Sequence, residues 1–203
     1  IIKGAFSTSM AFQATVKVMI PLLISSLGVT LAFKMKFWNI GAEGQIIAGA
    51  ICASYFALFH ADLPHFLLMI IMFAAGIIGG GLYGLIPAFF KAKFGTNETL
   101  FTLMMNYVAM QLVSFFIVLW ENPRNSNNVG VINSKTHFGW LPSLFGQKYL
   151  INILIVVVIT VFMYVYLKYS KHGYEISVVG ESENTARYIG INVKKVILRT
   201  MAL

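Results

Sequence analysis

The sequence predicts an all-α, polytopic integral membrane protein with about five transmembrane helices and the start of a sixth. Three observations carry this. The 203 residues are 58% hydrophobic and only 11% charged, whereas a soluble domain carries about a quarter charged residues. Mean hydropathy is +0.78, and several apolar runs reach the ~20 residues that cross a bilayer. The basic residues fall in short loops between those runs, so the net charge of +8 reads as topology information and not as a nucleic-acid surface. The single cysteine, Cys52, lies inside an apolar run, which leaves no intrachain disulfide.

The first predicted span is about 18–33, with Lys17 at its edge and Pro21 in its first turn, where proline is tolerated. The second, 37–59, starts with "FWNIGAEGQIIAGA". The third, 66–90, is rich in glycine ("AAGIIGGGLYG"). The fourth is 98–120 and the fifth 149–169, and a further apolar run begins at Val196. Ten basic residues (Lys34, Lys36, Lys91, Lys93, Lys168, Lys171, Arg187, Lys194, Lys195 and Arg199) fall on one side of the resulting topology. In the loops on the other side fall Lys3, Arg124, Lys135 and Lys148, with Lys17 at a span edge. The richer side is expected to be cytoplasmic. Residues 121–148 then form an external loop and 170–195 a cytoplasmic one. The chain opens "IIKGAFSTSM", without an initiator Met, a basic n-region or a cleavage site, and stops at "RTMAL" within an apolar periodicity. Both ends are therefore expected to be cuts in a longer protein.

Asn39, Glu43 and Gln45 are costly at the head of a membrane span. A carboxylate at mid-bilayer costs roughly 2.5–3.5 kcal/mol unless it meets protein or water. Gly41 and Gly44 flank Glu43 and permit a non-helical backbone, which survives at membrane depth only when buried in protein or lining a cavity. "NIGAEGQ" thus reads as a broken start of a helix at the cytoplasmic end of a pathway. The alternative is a Glu43 that pairs with Lys34 or Lys36 at the interface and does nothing more.

In "GTNETLFTLMMNY", Thr96 or Asn97 can cap the fourth helix, and Glu98 suits its positive end. Thr99, Thr102 and Asn106 recur at spacings of three and four and share one face. Asn106 lies about 13 Å into the span. Such a stripe is either helix–helix glue or a pathway lining. Gly76, Gly80 and Gly84 recur every four residues and predict close helix packing. In 173–195, Ser182 can cap a short helix over 183–189 that ends at Gly190. Arg187 and Tyr188 would then stand exposed, as a docking element or as an ordinary solvated loop. His60, Asp62 and His65 share one short loop, but no further ligand is near in sequence, so loop residues fit better than a metal site. The "NET" sequon lies on the cytoplasmic side. No nucleophile–base pair, phosphate-cradling loop or paired carboxylates stand out, which argues against an intramembrane enzyme.

Taken in order, "FWNIGAEGQIIAGA", "NETLFTLMMNYVA" and "GYEISVVGESENTARYIGINVKKVIL" resemble the permease subunits of bacterial ABC importers, in the superfamily that handles branched-chain amino acids, ribose and nucleosides. The resemblance covers essentially the whole chain and is closest to the nucleoside-type branch. Residues 1–203 would then be a partial transmembrane permease domain. The resemblance implies a multi-pass protein of the bacterial cytoplasmic membrane that moves nucleosides by alternating access and does no covalent chemistry. A ribose-like sugar permease and a non-transporting structural subunit are the alternatives. It places Asn39, Glu43, Gln45, Asn97, Glu98, Asn106 and Tyr107 along the substrate pathway. It places Gly180, Glu183, Ala186, Arg187, Tyr188 and Gly190 at the contact with an ATPase. It implies no cofactor in this chain, with ATP and Mg bound by that ATPase subunit. The other implied partners are a second permease subunit and an extracytoplasmic substrate-binding lipoprotein in the lipid bilayer, with no nucleic acid. Two positions depart from the family pattern: Ser177 stands where arginine is frequent, and Thr99 where a β-branched aliphatic is frequent.

Overall fold

The structure, a computed structural model, describes residues 8–133, 139–142 and 149–203. Lys3, Lys135 and Lys148 of the charge argument lie outside the described residues. Among those described, eight helices account for the regular structure. They are α1 (Ser9–Lys34), α2 (Ala42–Phe59), α3 (His65–Phe94), α4 (Glu98–Trp120), α5 (Leu150–Tyr169), α6 (Lys171–Glu181), α7 (Glu183–Tyr188) and α8 (Val193–Ala202). The first five, of 18 to 30 residues, are long and apolar enough to cross a membrane.

The helix limits follow local chemistry. α1 begins well before the apolar run because the Thr8 hydroxyl accepts from the Ala11 N–H at 3.3 Å and caps it. Pro21 is therefore interior to α1 and not in its first turn. Hydropathy alone missed the polar first turns, "SMAFQATVK". α3 runs on to Phe94 and stops where Gly95 turns left-handed at φ 67°. Asn97, not Thr96, caps α4, its side chain accepting from the Leu100 N–H at 3.1 Å. The last helix starts at Val193, three residues before the apolar run, capped by Asn192 accepting from the Lys195 N–H at 3.1 Å.

The spans form two groups. α2, α3 and α4 pack as a bundle, while α1 packs on α5. The predicted glycine surface is what brings α2 against α3. A Cβ on Gly49 would lie 2.7 Å from the Gly76 carbonyl oxygen, and one on Gly80 would lie 3.1 Å from that of Gln45. The two groups join at the end that carries Lys34 and Lys91. There α6, α7 and α8 fill the gap around a core of Leu31, Met35, Phe37, Ile176, Val179 and Ile197. At the opposite ends of α2 and α4, Tyr55, Phe59, Phe116 and Trp120 form an aromatic cluster, the residue type enriched at membrane interfaces. At the basic end Lys93 lies over Phe89 and Phe94, and Lys168 over Tyr164 and Tyr169. An ammonium held over an aromatic ring is a cation–π contact.

Candidate functional site

The head of the second span is broken, as "NIGAEGQ" predicts. Residues 37–40 are non-helical, Gly41 turns, and α2 starts at Ala42. The unpaired backbone is met by protein. Asn39, 5% exposed, folds its Oδ1 onto the Gly41 N–H at 3.0 Å. The Ile40 N–H donates to Thr102 Oγ1 at 3.2 Å, and the Ile40 carbonyl accepts from Asn106 Nδ2 at 2.9 Å. Asn106 Oδ1 accepts in turn from the Gly44 N–H at 2.9 Å, one of the donors that a helix start leaves free. Thr102, Asn106 and Ala109 are the buried stripe of α4 and face this turn. The glycines at 41 and 44 make room for it. A Cβ at Gly41 would sit 3.0 Å from that of Thr102, and one at Gly44 2.9 Å from Asn106 Oδ1.

The seven residues that the resemblance places along a pathway therefore divide. Asn39 and Asn106 spend their side chains on the chain itself, which is the glue reading of the α4 stripe. Glu43 is exposed at the first turn of α2, and among the described residues it forms no ion pair with Lys34 or Lys36. Gln45 is half-buried, accepting from Asn39 Nδ2 at 3.4 Å and filling the space over Gly84. Tyr107 is 62% exposed on the outer face of α4. Glu98 is tied to Lys91 of α3 at 2.7 Å with both side chains mostly covered, and Asn97 is the cap. Glu43 and Tyr107 are the two of the seven that are exposed and, among the described residues, make no side-chain hydrogen bond or ion pair within the chain.

The second set sits on α6 and α7. Ser182 caps α7 as predicted, its Oγ accepting from the Thr185 N–H at 3.2 Å. Gly190 follows at φ 83°. Two expectations are corrected. The segment before Ser182 is not loop but the helix α6, capped by Ser170 accepting from the Gly173 N–H at 2.9 Å. Gly180, which the resemblance places with the short helix at the ATPase contact, accordingly belongs to α6 and not to α7. It is buried inside α6, where a Cβ would collide with the Lys34 carbonyl. Ala186 is fully buried in the shared core. Glu183, Arg187 and Tyr188 remain on the outer face, with Arg187 pairing to Glu183 at 3.3 Å and Tyr188 91% exposed.

Sequence reading missed one connection here. Glu175 of α6 accepts from Arg199 of α8 at 2.8 Å, with His172 3.7 Å away. The Arg199 hydrogen bond, opposed by burial and aided by its charge and by His172, holds the Glu175 carboxyl below its usual value. The signal was Gly173 and Gly180 bracketing Ile176 and Val179 at helical spacing, which the surrounding polar residues obscured.

Five apolar spans, a broken span head held by a neighbouring helix, and a capped amphipathic set at one end of the spans define a polytopic membrane protein. The chain belongs to the family of permease components of the branched-chain amino acid transport system, whose pattern matches residues 11–203. It is a multi-pass protein of the cytoplasmic membrane. It is 28% identical to the nucleoside ABC transporter permease protein NupB of Lactococcus lactis, over 98% of this chain and 57% of that protein. It is 27% identical to the guanosine ABC transporter permease protein NupP of Bacillus subtilis, over 98% of this chain and 58% of that protein. The glucose ABC transporter permease protein TsgB13 of Haloferax volcanii is 28% identical over 88% of this chain and 50% of that protein. The chain thus spans a little over half the length of the first two. No solved structure matches it.

Proposed function

We propose that the protein is the membrane-spanning permease of an ATP-driven importer for nucleosides. The observation that carries this is the similarity, along 98% of the chain, to permeases named for nucleoside and guanosine transport. The permease alternates between outward and inward access around a midplane passage. ATP and Mg bind a separate ATPase subunit, and this chain carries no cofactor of its own. A second permease subunit completes the passage, and an extracytoplasmic lipoprotein delivers substrate. Glu43 and Tyr107 are the pathway residues with side chains free to meet substrate or water. Asn39, Gln45, Asn97, Glu98 and Asn106 hold the head of the passage in shape. Glu183, Arg187 and Tyr188, on the outer face of α7, meet the ATPase, while Ala186 and Gly190 fix how that helix sits.

The test is uptake of labelled guanosine by cells whose own nucleoside uptake is deleted, carrying the whole permease with its ATPase and lipoprotein. Uptake should depend on ATP and be competed by excess unlabelled nucleosides but not by glucose. Competition by glucose alone would transfer the protein to the sugar branch. Normal insertion without any uptake of either would leave a structural subunit.

A further inference from the structure

We infer that the connector between α1 and α2, residues 35–41, transmits displacement of α6 and α7 to the broken head of α2, with Gly180 as the positioning residue at one end and Thr102 and Asn106 at the other. This rests on the importer reading above and adds the route by which the ATPase side reaches the passage.

Three observations meet in this connector. At its start, α6 lies so close that Gly180 has room for no side chain. A Cβ there would collide with the Lys34 carbonyl and lie 3.3 Å from the Met35 Cα. Met35 and Phe37, 4% and 3% exposed, are sunk in the same core as Val179 and Ala186, so α6 and α7 grip the connector through packing as well. A cavity of about 150 Å³ lies between Met35, Lys36, Phe37, Lys91, Ser182 and Glu183, directly at the junction of α6 and α7. At its far end, both backbone groups of Ile40 are held by α4, through Thr102 and Asn106. A parallel tie runs from the same cavity: Lys91 pairs with Glu98, whose carbonyl accepts from Thr102 Oγ1 at 2.7 Å.

The connector has little slack. Met35 and Phe37 N–H groups both bond back to the Ala32 carbonyl, at 3.1 and 3.0 Å, and Lys36 takes φ 56°, where L-residues are uncommon. A short segment anchored in close-packed structure at both ends passes a shift on and does not absorb it. Gly180 touches neither passage nor outer face, so its role is to keep α6 seated on the connector.

The side chain of Ile40 is 45% exposed although its backbone is held, which makes it the reporter. The test uses the full transporter purified with its ATPase, in a background cleared of every other reactive cysteine, Cys52 included, with Ile40→Cys labelled by a maleimide. In this parent the labelling rate should differ between the nucleotide-free and the ATP–vanadate-trapped states. Adding Gly180→Ala should abolish the difference while the ATPase still co-purifies. A Gly180→Ala transporter that keeps the full difference overturns the inference. A parent with no difference overturns the importer reading and the inference with it. If Gly180→Ala does not accumulate, Thr102→Val, which keeps the shape but frees the Ile40 N–H, reads the other anchor: loss of the difference supports the inference and its persistence overturns it.

Discussion

Asn106 shows what a polar residue inside a membrane span does when it faces protein. Its side-chain amide accepts from the Gly44 N–H through Oδ1 and donates to the Ile40 carbonyl through Nδ2, and neither backbone group has a helical partner. Asn106→Leu would leave both unpaired, at about 1–3 kcal/mol for a buried group so stranded. The thermal midpoint of the detergent-solubilised full permease should fall clearly. Glu43→Gln should leave that midpoint unchanged and lower uptake, because Glu43 is exposed and among the described residues forms no ion pair. An Asn106→Leu permease as stable as wild type would remove the pinning role. Glycine positions permit a matched comparison. Gly49→Ala would push a methyl to 2.7 Å from the Gly76 oxygen and pry α2 from α3, whereas Gly28→Ala meets nothing within 4 Å. The first should lower the midpoint. The second should hold or slightly raise it, since alanine is favoured over glycine in helices by about 1 kcal/mol.

The long helices were legible as elements because each needs only an apolar run and an end signal. The capped α7 was legible because Ser182, Glu183 and Gly190 carry its limits in sequence. α6 was not, because its apolar face is only Ile176 and Val179 between two glycines, and its purpose is tertiary: it seats on Lys34. Likewise the face shared by Thr102 and Asn106 could be read from spacing, but not that its target is the backbone of residues 40–44, more than sixty positions away. Two predictions belong to these elements. Arg187→Glu reverses charge on the outer face of α7 and should reduce co-purification of the ATPase. Ser182→Ala, which removes a cap worth about 1 kcal/mol, should reduce it less; equal recovery for Arg187→Glu and wild type would displace the contact from α7. Glu175 ties α6 to α8 with a pKa below its ordinary 4.5. Its stabilisation is present in full above the unfolded carboxylate's pKa and is lost as pH falls through the lowered folded value. Acidification into that range should lower the melting midpoint of wild type more than that of Glu175→Gln, and parallel curves would show that the tie contributes nothing.

At the scale of the molecule, two groups of spans are joined by α6, α7 and α8 at one membrane face, with the broken head of α2 close by. The account of function needs that face to be cytoplasmic, because an ATPase can reach it only there. The positive-inside rule, applied to the ten-to-four division of basic residues in the loops, predicts this orientation. The most direct measurement is cysteine labelling in intact cells with a membrane-impermeant maleimide, in a full permease cleared of its other cysteines, Cys52 included. Val131 and Phe94, 68% and 61% exposed, stand on opposite faces of the spans. Val131→Cys should label from outside, and Phe94→Cys only after the membrane is opened. Labelling of Phe94→Cys in intact cells with protection of Val131→Cys would contradict the orientation, and with it the docking of an ATPase on α7.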